Sequence, residues 1–250
     1  RVIGSLPLRK KGTGNIIQNG EQVRRNWQGN IPNEDYPQIE NPARGYIATA
    51  NNKVVKDSSF DFNSTFAPGY RYENIVRMLG NKSDIDVEYF KQMQTDTHTI
   101  LASKVQSLIK KYVKAESEME QKAFNLVTRW DGYNRKEATA PSIYNIFYIR
   151  LFHQILADEI GEELASEYIV NRYISQERLF ELLQKNSSFI DNQSTPYKES
   201  LGDVATSAFK ETLQILEAQF ESADIDTWQW GKIHQIKFDH VLGKSALLRP

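Results

Sequence analysis

Cysteine is absent from this sequence. Its absence excludes disulfides, thiolate metal sites and a cysteine nucleophile within the chain, and leaves the compartment open. An excess of positive charge is also missing, since 31 Lys and Arg stand against 32 Asp and Glu, for a net charge of -1. A nucleic-acid footprint needs a basic surplus, so no nucleic-acid partner is expected. The longest basic run, Arg9-Lys10-Lys11 beside Gly12 and Gly14, reads as a solvated loop. No apolar run approaches the roughly 20 residues of a membrane span, and no stretch has the layout of a signal peptide. The sequence opens on Arg1 rather than Met, so it is expected to be a processed chain or an excised piece of a longer one.

Familiar catalytic motifs are lacking as well. There is no HExxH, no phosphate-cradling GxxxxGK[ST] or GxGxxG, and no GxSxG nucleophile elbow. The four histidines are His98, His153, His234 and His240. His153 lies in an apolar helical stretch and reads as a core residue. His234 and His240, near two tryptophans, are a weak metal pair at best.

What remains is a chain of 250 residues, 40% apolar and 25% charged, long enough for a sizeable core. Residues 1–70 hold short apolar runs between turns, and "RVIGSLPLR" and "GYIATA" read as strands. The connection between them is turn-rich, with Trp27 and Tyr36 expected to pin it to a surface. From residue 71 to 222 the texture is helical. Ile100, Leu101, Val105, Leu108, Ile109 and Tyr112 follow a 3.6-residue period, so one face is buried. "SDIDVEYFKQMQTD" offers Ser83 and Asp84 as caps, and "SQERLFELLQKN" opens like a capping box at Ser175. "PSIYNIFYIRLFHQILADEI" is apolar nearly all round and suits the centre of a helical layer. From 223 to 250, Trp228, Trp230, Ile233, Ile236 and Phe238 suggest a return to extended structure. The expected class is α+β and mostly helical, with extended segments flanking a large helical section.

One stretch, "NPARGYIATANNK" at 41–53, resists a packing explanation. It ends on two neutral amides, Asn51 and Asn52. Asparagine is depleted in strands and common in turns, so a strand-terminating turn is the plainer reading. A side-chain amide at a strand end can also donate to a developing oxyanion. Arg71, in "APGYRYENI", could orient such an amide, although an isolated arginine is more often a surface or ion-pair residue. Asp57 and Asp61 follow in the loop "KDSSFDFNST", where carboxylates and carbonyls can hold calcium.

These blocks, in this order, resemble the β chain of the penicillin acylases, which are N-terminal-nucleophile (Ntn) hydrolases. The matching pieces are Trp27-Gln28-Gly29-Asn30-Ile31-Pro32, Asn41-Pro42, Gly45-Tyr46-Ile47, Asn51-Asn52, Gly69-Tyr70-Arg71, Trp130-Asp131-Gly132 and Trp228-Gln229-Trp230-Gly231. They span nearly the whole chain.

The resemblance implies a fragment of an αββα Ntn fold, with residues 1–70 contributing to its core. It implies amide hydrolysis by a serine at the head of the β chain, whose own α-amine is the base. Asn51 would be the oxyanion donor and Arg71 would lie beside it, toward the substrate. Some members carry a structural calcium, for which Asp61 is the matching carboxylate; no cofactor enters the chemistry. The implied partners are an α chain, the remainder of the β chain and a small-molecule amide. The implied location is extracytoplasmic, periplasmic or secreted. Arg1 has no nucleophilic hydroxyl, so the serine is expected outside this sequence and the fragment alone is expected to be inactive. The competing reading is a non-catalytic binding or scaffold module of the same fold.

Overall fold

The computed structural model describes residues 5–9, 17, 19–21, 27–55, 60, 66–185 and 187–238. The chain divides into two compact units, one formed by Arg1–Asp96 with Leu156–Phe189 and the other by Thr97–Ile155 with Ile190–Pro250.

In the first unit, β1 (Pro7–Arg9) and β2 (Trp27–Asn30) form an antiparallel pair with Pro7 opposite Asn30 and Arg9 opposite Trp27. The pairing continues as the Ile31 N–H donates to the Leu6 carbonyl at 2.8 Å, and Ile31 is buried. The Tyr36 hydroxyl accepts from the Leu6 N–H at 2.8 Å. Tyr36 thus pins the connection as expected, whereas Trp27 stays half exposed.

Helices α1 (Tyr70–Gly80) and α2 (Val87–Gln94) follow. The cap of α2 is Asp86, whose carboxylate accepts from the Tyr89 N–H at 2.8 Å, and not Ser83 or Asp84. An N-cap side chain accepts from an N–H two or three residues on, and Asp86, directly before α2, stands three before Tyr89. Tyr89 also donates its hydroxyl to the Met78 carbonyl at 2.7 Å, tying α2 to the end of α1. Asn74 and Asp96 join by a 2.7 Å hydrogen bond.

Helices α6 (Glu162–Val170) and α7 (Arg172–Gln184) pack on each other, with Ala165, Ile169 and Leu179 buried. The sequence reading did not single out α6. Ser175 does not open a helix. It lies inside α7, buried, with its hydroxyl donating to the Asn171 carbonyl at 3.1 Å, a satisfied partner one turn back.

The second unit is helical. Helices α3 (Ala102–Tyr112), α4 (Glu118–Arg129) and α8 (Leu201–Phe220) pack together. The predicted stripe on α3 is the buried one, through Val105, Leu108 and Ile109. Capping boxes start α4 (Ser117 with Glu120) and α8 (Ser200 with Asp203), satisfying N–H groups that a helix start leaves open. Helix α5 (Ala140–Ile160) is the apolar one. Its Ile143, Phe147 and Leu151 are almost wholly buried, and Phe147 meets Phe209 of α8 edge-on at 6.0 Å. Gly161, at φ 84, ends α5 by taking a conformation that other residues rarely adopt.

Two extended segments foreseen in the sequence are built differently. Residues 46–50 form no strand; Asn41 (φ 46), Gly45 (φ 76) and Asn51 (φ 60) turn the backbone at each end. Beyond α8, Ile225–Thr227 is a 3-10 turn and α9 (Trp230–Ile233) one helical turn, and residues 235–238 continue without regular structure; the remainder of the foreseen segment, residues 239–250, lies outside the described residues. The reason is where this segment finds its partners. Trp228 is fully buried, while the N–H groups of Trp230 and Gly231 bond to the carbonyls of Ala138 and Lys136 ahead of α5. Ser142 adds a 2.8 Å hydrogen bond from its hydroxyl to the Trp228 carbonyl.

Candidate active site

The two asparagines have separate jobs. Asn52 is bound into the local backbone: its Oδ1 accepts from the Ala50 N–H at 3.0 Å, and its Nδ2 donates to the Lys53 carbonyl at 3.3 Å. Asn51 takes the left-handed conformation at φ 60, which asparagine tolerates better than most residues. Its carbonyl accepts from the Ala67 N–H at 2.8 Å, joining the turn to the approach of α1.

The side chain of Asn51 is oriented by Arg71, from the first turn of α1. One terminal nitrogen of Arg71, Nη2, donates to Asn51 Oδ1 at 3.0 Å and to the Ala50 carbonyl at 2.9 Å. A guanidinium has donors only. The amide atom facing it must therefore be the oxygen, and the Nδ2 group with its two N–H bonds is turned the other way. Arginine thus fixes which end of the amide is presented, an assignment otherwise made only from the surrounding network. Both side chains are exposed in this chain.

The structure therefore brings Asn51 and Arg71 together, as the sequence reading expected. Asp57 and Asp61 lie outside the described residues. Among the described residues, no group of three or more His, Asp or Glu is placed to hold a metal ion. His240 is likewise outside them, and His234 stacks flat on Trp230 at 4.5 Å.

Two residues flanking these motifs, Arg44 and Tyr72, were not singled out from the sequence. Arg44 donates from Nε to the Tyr46 carbonyl at 2.9 Å and from Nη1 to the Tyr72 hydroxyl at 3.0 Å, with its guanidinium 5.1 Å from the Tyr46 ring centre. The signal available was their adjacency to Gly45 and to Arg71.

The other two motifs are structural. In Trp130-Asp131-Gly132, the Trp130 indole donates to the Tyr133 carbonyl at 2.9 Å, and Asp131 pairs with Arg135 at 2.8 Å. Burial pushes the Asp131 carboxyl up, but hydrogen bonds from Arg135 and the Tyr133 N–H outweigh it and hold the group below its usual range. Gly132, at φ 84, lies where a Cβ would come 3.1 Å from the His98 ring. In Trp228-Gln229-Trp230-Gly231, a Cβ on Gly231 would stand 2.7 Å from the Lys136 Cβ.

The fold resembles that of the thermostable penicillin G acylase of Alcaligenes faecalis, with a TM-score of 0.67 over 90% of this chain and 45% of that one at 16% identity. The chain thus shares the fold of that structure, and its described residues are mostly helical. A family model described as penicillin amidase matches residues 1–249, and the chain belongs to that family. Among its relatives is the acyl-homoserine lactone acylase QuiP of Pseudomonas fluorescens (strain Pf0-1), 25% identical over 98% of this chain and 32% of that protein. The penicillin acylase 2 proenzyme of Pseudomonas sp. (strain SE83) is 31% identical over 58% of this chain and 19% of that protein. The chain spans about a third of the length of the acyl-homoserine lactone acylases it matches. Among the described residues, no helix is long and apolar enough to cross a membrane.

Proposed function

We propose that this chain is a section of an acylase that hydrolyses amide-linked acyl groups, and that Asn51 is an oxyanion donor of that reaction. The observation that carries the reading is the 3.0 Å hydrogen bond from Arg71 to Asn51 Oδ1, which turns the amide N–H groups outward. Attack on an amide carbonyl moves its π electrons onto oxygen, and a preoriented N–H stabilises that charge. The nucleophile is a serine supplied by the longer parent protein, with its α-amine taking the hydroxyl proton and returning it to the leaving amine. Water then hydrolyses the acyl-enzyme ester, releasing the carboxylic acid and restoring the serine hydroxyl. Family membership supports this chemistry.

In this chain Asn51 and Arg71 are exposed. Hydrogen bonds to a developing charge gain strength when water is excluded, so the remainder of the β chain and an α chain are assigned the task of covering the site. The 250 residues alone are inactive on this reading, and the parent acts outside the cytoplasm.

The test is Asn51→Ala in the full-length parent. Turnover falls by roughly 10²–10³ while autoprocessing into two chains and the circular dichroism spectrum are retained. Near-normal turnover removes the oxyanion assignment. A parent that exposes no Ser, Thr or Cys by self-cleavage identifies a binding or scaffold module instead.

A further inference from the structure

We infer that Arg44 is a positioning residue for the Asn51 amide. This rests on the oxyanion role proposed for Asn51. Two arginines tie the same two pieces of chain in opposite directions. Arg71 reaches from the first turn of α1 to Ala50 and Asn51. Arg44 reaches from the other end of the segment to Tyr72, the residue next to Arg71, through a 3.0 Å bond to its hydroxyl.

Arg44 also closes the bend in its own segment. Its Nε donates to the Tyr46 carbonyl at 2.9 Å, spanning Gly45, and the Gly45 N–H donates to the Pro42 carbonyl at 2.8 Å. Glycine at φ 76 supplies little stiffness of its own, so the guanidinium above Tyr46 provides it. A single planar group thereby fixes both the shape of residues 44–46 and their place beside α1. A lysine cannot repeat this, because one ammonium is a point donor and the two acceptors are met by different nitrogens of a rigid fork.

The consequence is a division of labour. Arg71 decides which end of the Asn51 amide is presented, and Arg44 decides where the segment bearing it stands. Displacing a catalytic group by about 1 Å can lower a rate on the order of 10²-fold, so loss of the second tie is felt in turnover more than in binding.

The experiment uses the full-length parent, assayed by p-nitroaniline release from N-acyl-p-nitroanilides ranging from acetyl to dodecanoyl. Arg44→Ala lowers kcat by roughly tenfold or more, with KM within about twofold. Arg44→Lys and Tyr72→Phe fall between Arg44→Ala and wild type. The same Arg44→Ala change is then made in an Asn51→Ala background. There it alters kcat by less than about twofold, because its effect runs through an amide no longer present. A variant that merely folds less well loses the same factor in both backgrounds, and that outcome overturns the inference. Wild-type kcat for Arg44→Ala beside a crippled Asn51→Ala overturns it while leaving the oxyanion reading intact. A wild-type rate for Asn51→Ala itself removes that reading and the Arg44 role together.

Discussion

Asn51→Asp separates donation from geometry more cleanly than alanine does. Alanine at φ 60 adds a backbone penalty of roughly 1–2 kcal/mol to the loss of the amide. Aspartate tolerates the left-handed region and keeps Oδ1, so the 3.0 Å bond from Arg71 survives and becomes an ion pair. The only group lost is the outward NH2, replaced by a second carboxylate oxygen. A donor becomes an acceptor carrying negative charge, aimed, under the proposed role of Asn51, where the oxyanion forms. Removing one oxyanion donor costs roughly 10²–10³ in kcat, or about 2.7–4 kcal/mol, and the added repulsion places Asn51→Asp at the far end of that range or beyond it. The effect belongs to the transition state, so kcat falls with KM little changed. The assay is steady-state acylase kinetics on the full-length parent, with a thermal melt alongside. The melting midpoint stays at or above the wild-type value. A kcat within tenfold of wild type, with the melt unchanged, refutes the assignment of the outward amide as donor.

The remaining predictions concern the scaffold. Gly231→Ala forces a Cβ to 2.7 Å from the Lys136 Cβ and 3.1 Å from its carbonyl, and overpacking of this kind destabilises by about 1–3 kcal/mol; urea titration of the full-length protein would show an unshifted midpoint if the contact can relax. The Asp203 carboxyl is held below its ordinary value of 3.8 by the Ser200 hydroxyl and then by the Ser200 N–H, against a smaller upward push from burial. A depressed folded value gives stability that is complete above the unfolded value and lost as pH falls through the folded one. The difference in melting midpoint between wild type and Asp203→Asn is therefore widest near neutrality and closes on acidification below 3.8. A difference that is constant with pH, or widens in acid, contradicts this account of the α8 cap.

Periodic helices were legible because burial writes itself into side-chain spacing. The stripe through Val105, Leu108 and Ile109 is the buried face of α3, and the all-apolar α5 lies in the core. The signals that misled were local ones satisfied from elsewhere. Ser175 has the residue type of a cap, yet its hydroxyl bonds back one turn inside α7. Trp228 and Trp230 alternate like a strand, yet the backbone there pairs with the chain ahead of α5. At the site, the pairing of Asn51 with Arg71 was available from the resemblance but not from spacing. Twenty residues separate them, and no periodicity connects a turn to a helix start. Arg44 was hidden for the same reason: its partner Tyr72 is 28 residues away.

The hydrogen bonds around Asn51 draw their donors and acceptors from a narrow window of the chain. Ala50, Asn51, Asn52, Lys53, Ala67 and Arg71 satisfy one another. Closing so short a loop costs little chain entropy compared with joining distant segments. The amide can accordingly acquire its orientation early in folding, ahead of the long-range packing of the helices. A support drawn from within residues 50–71 can also be inherited, lost or transplanted as one cassette. The surfaces around it can then diverge while the Asn51 amide keeps its orientation.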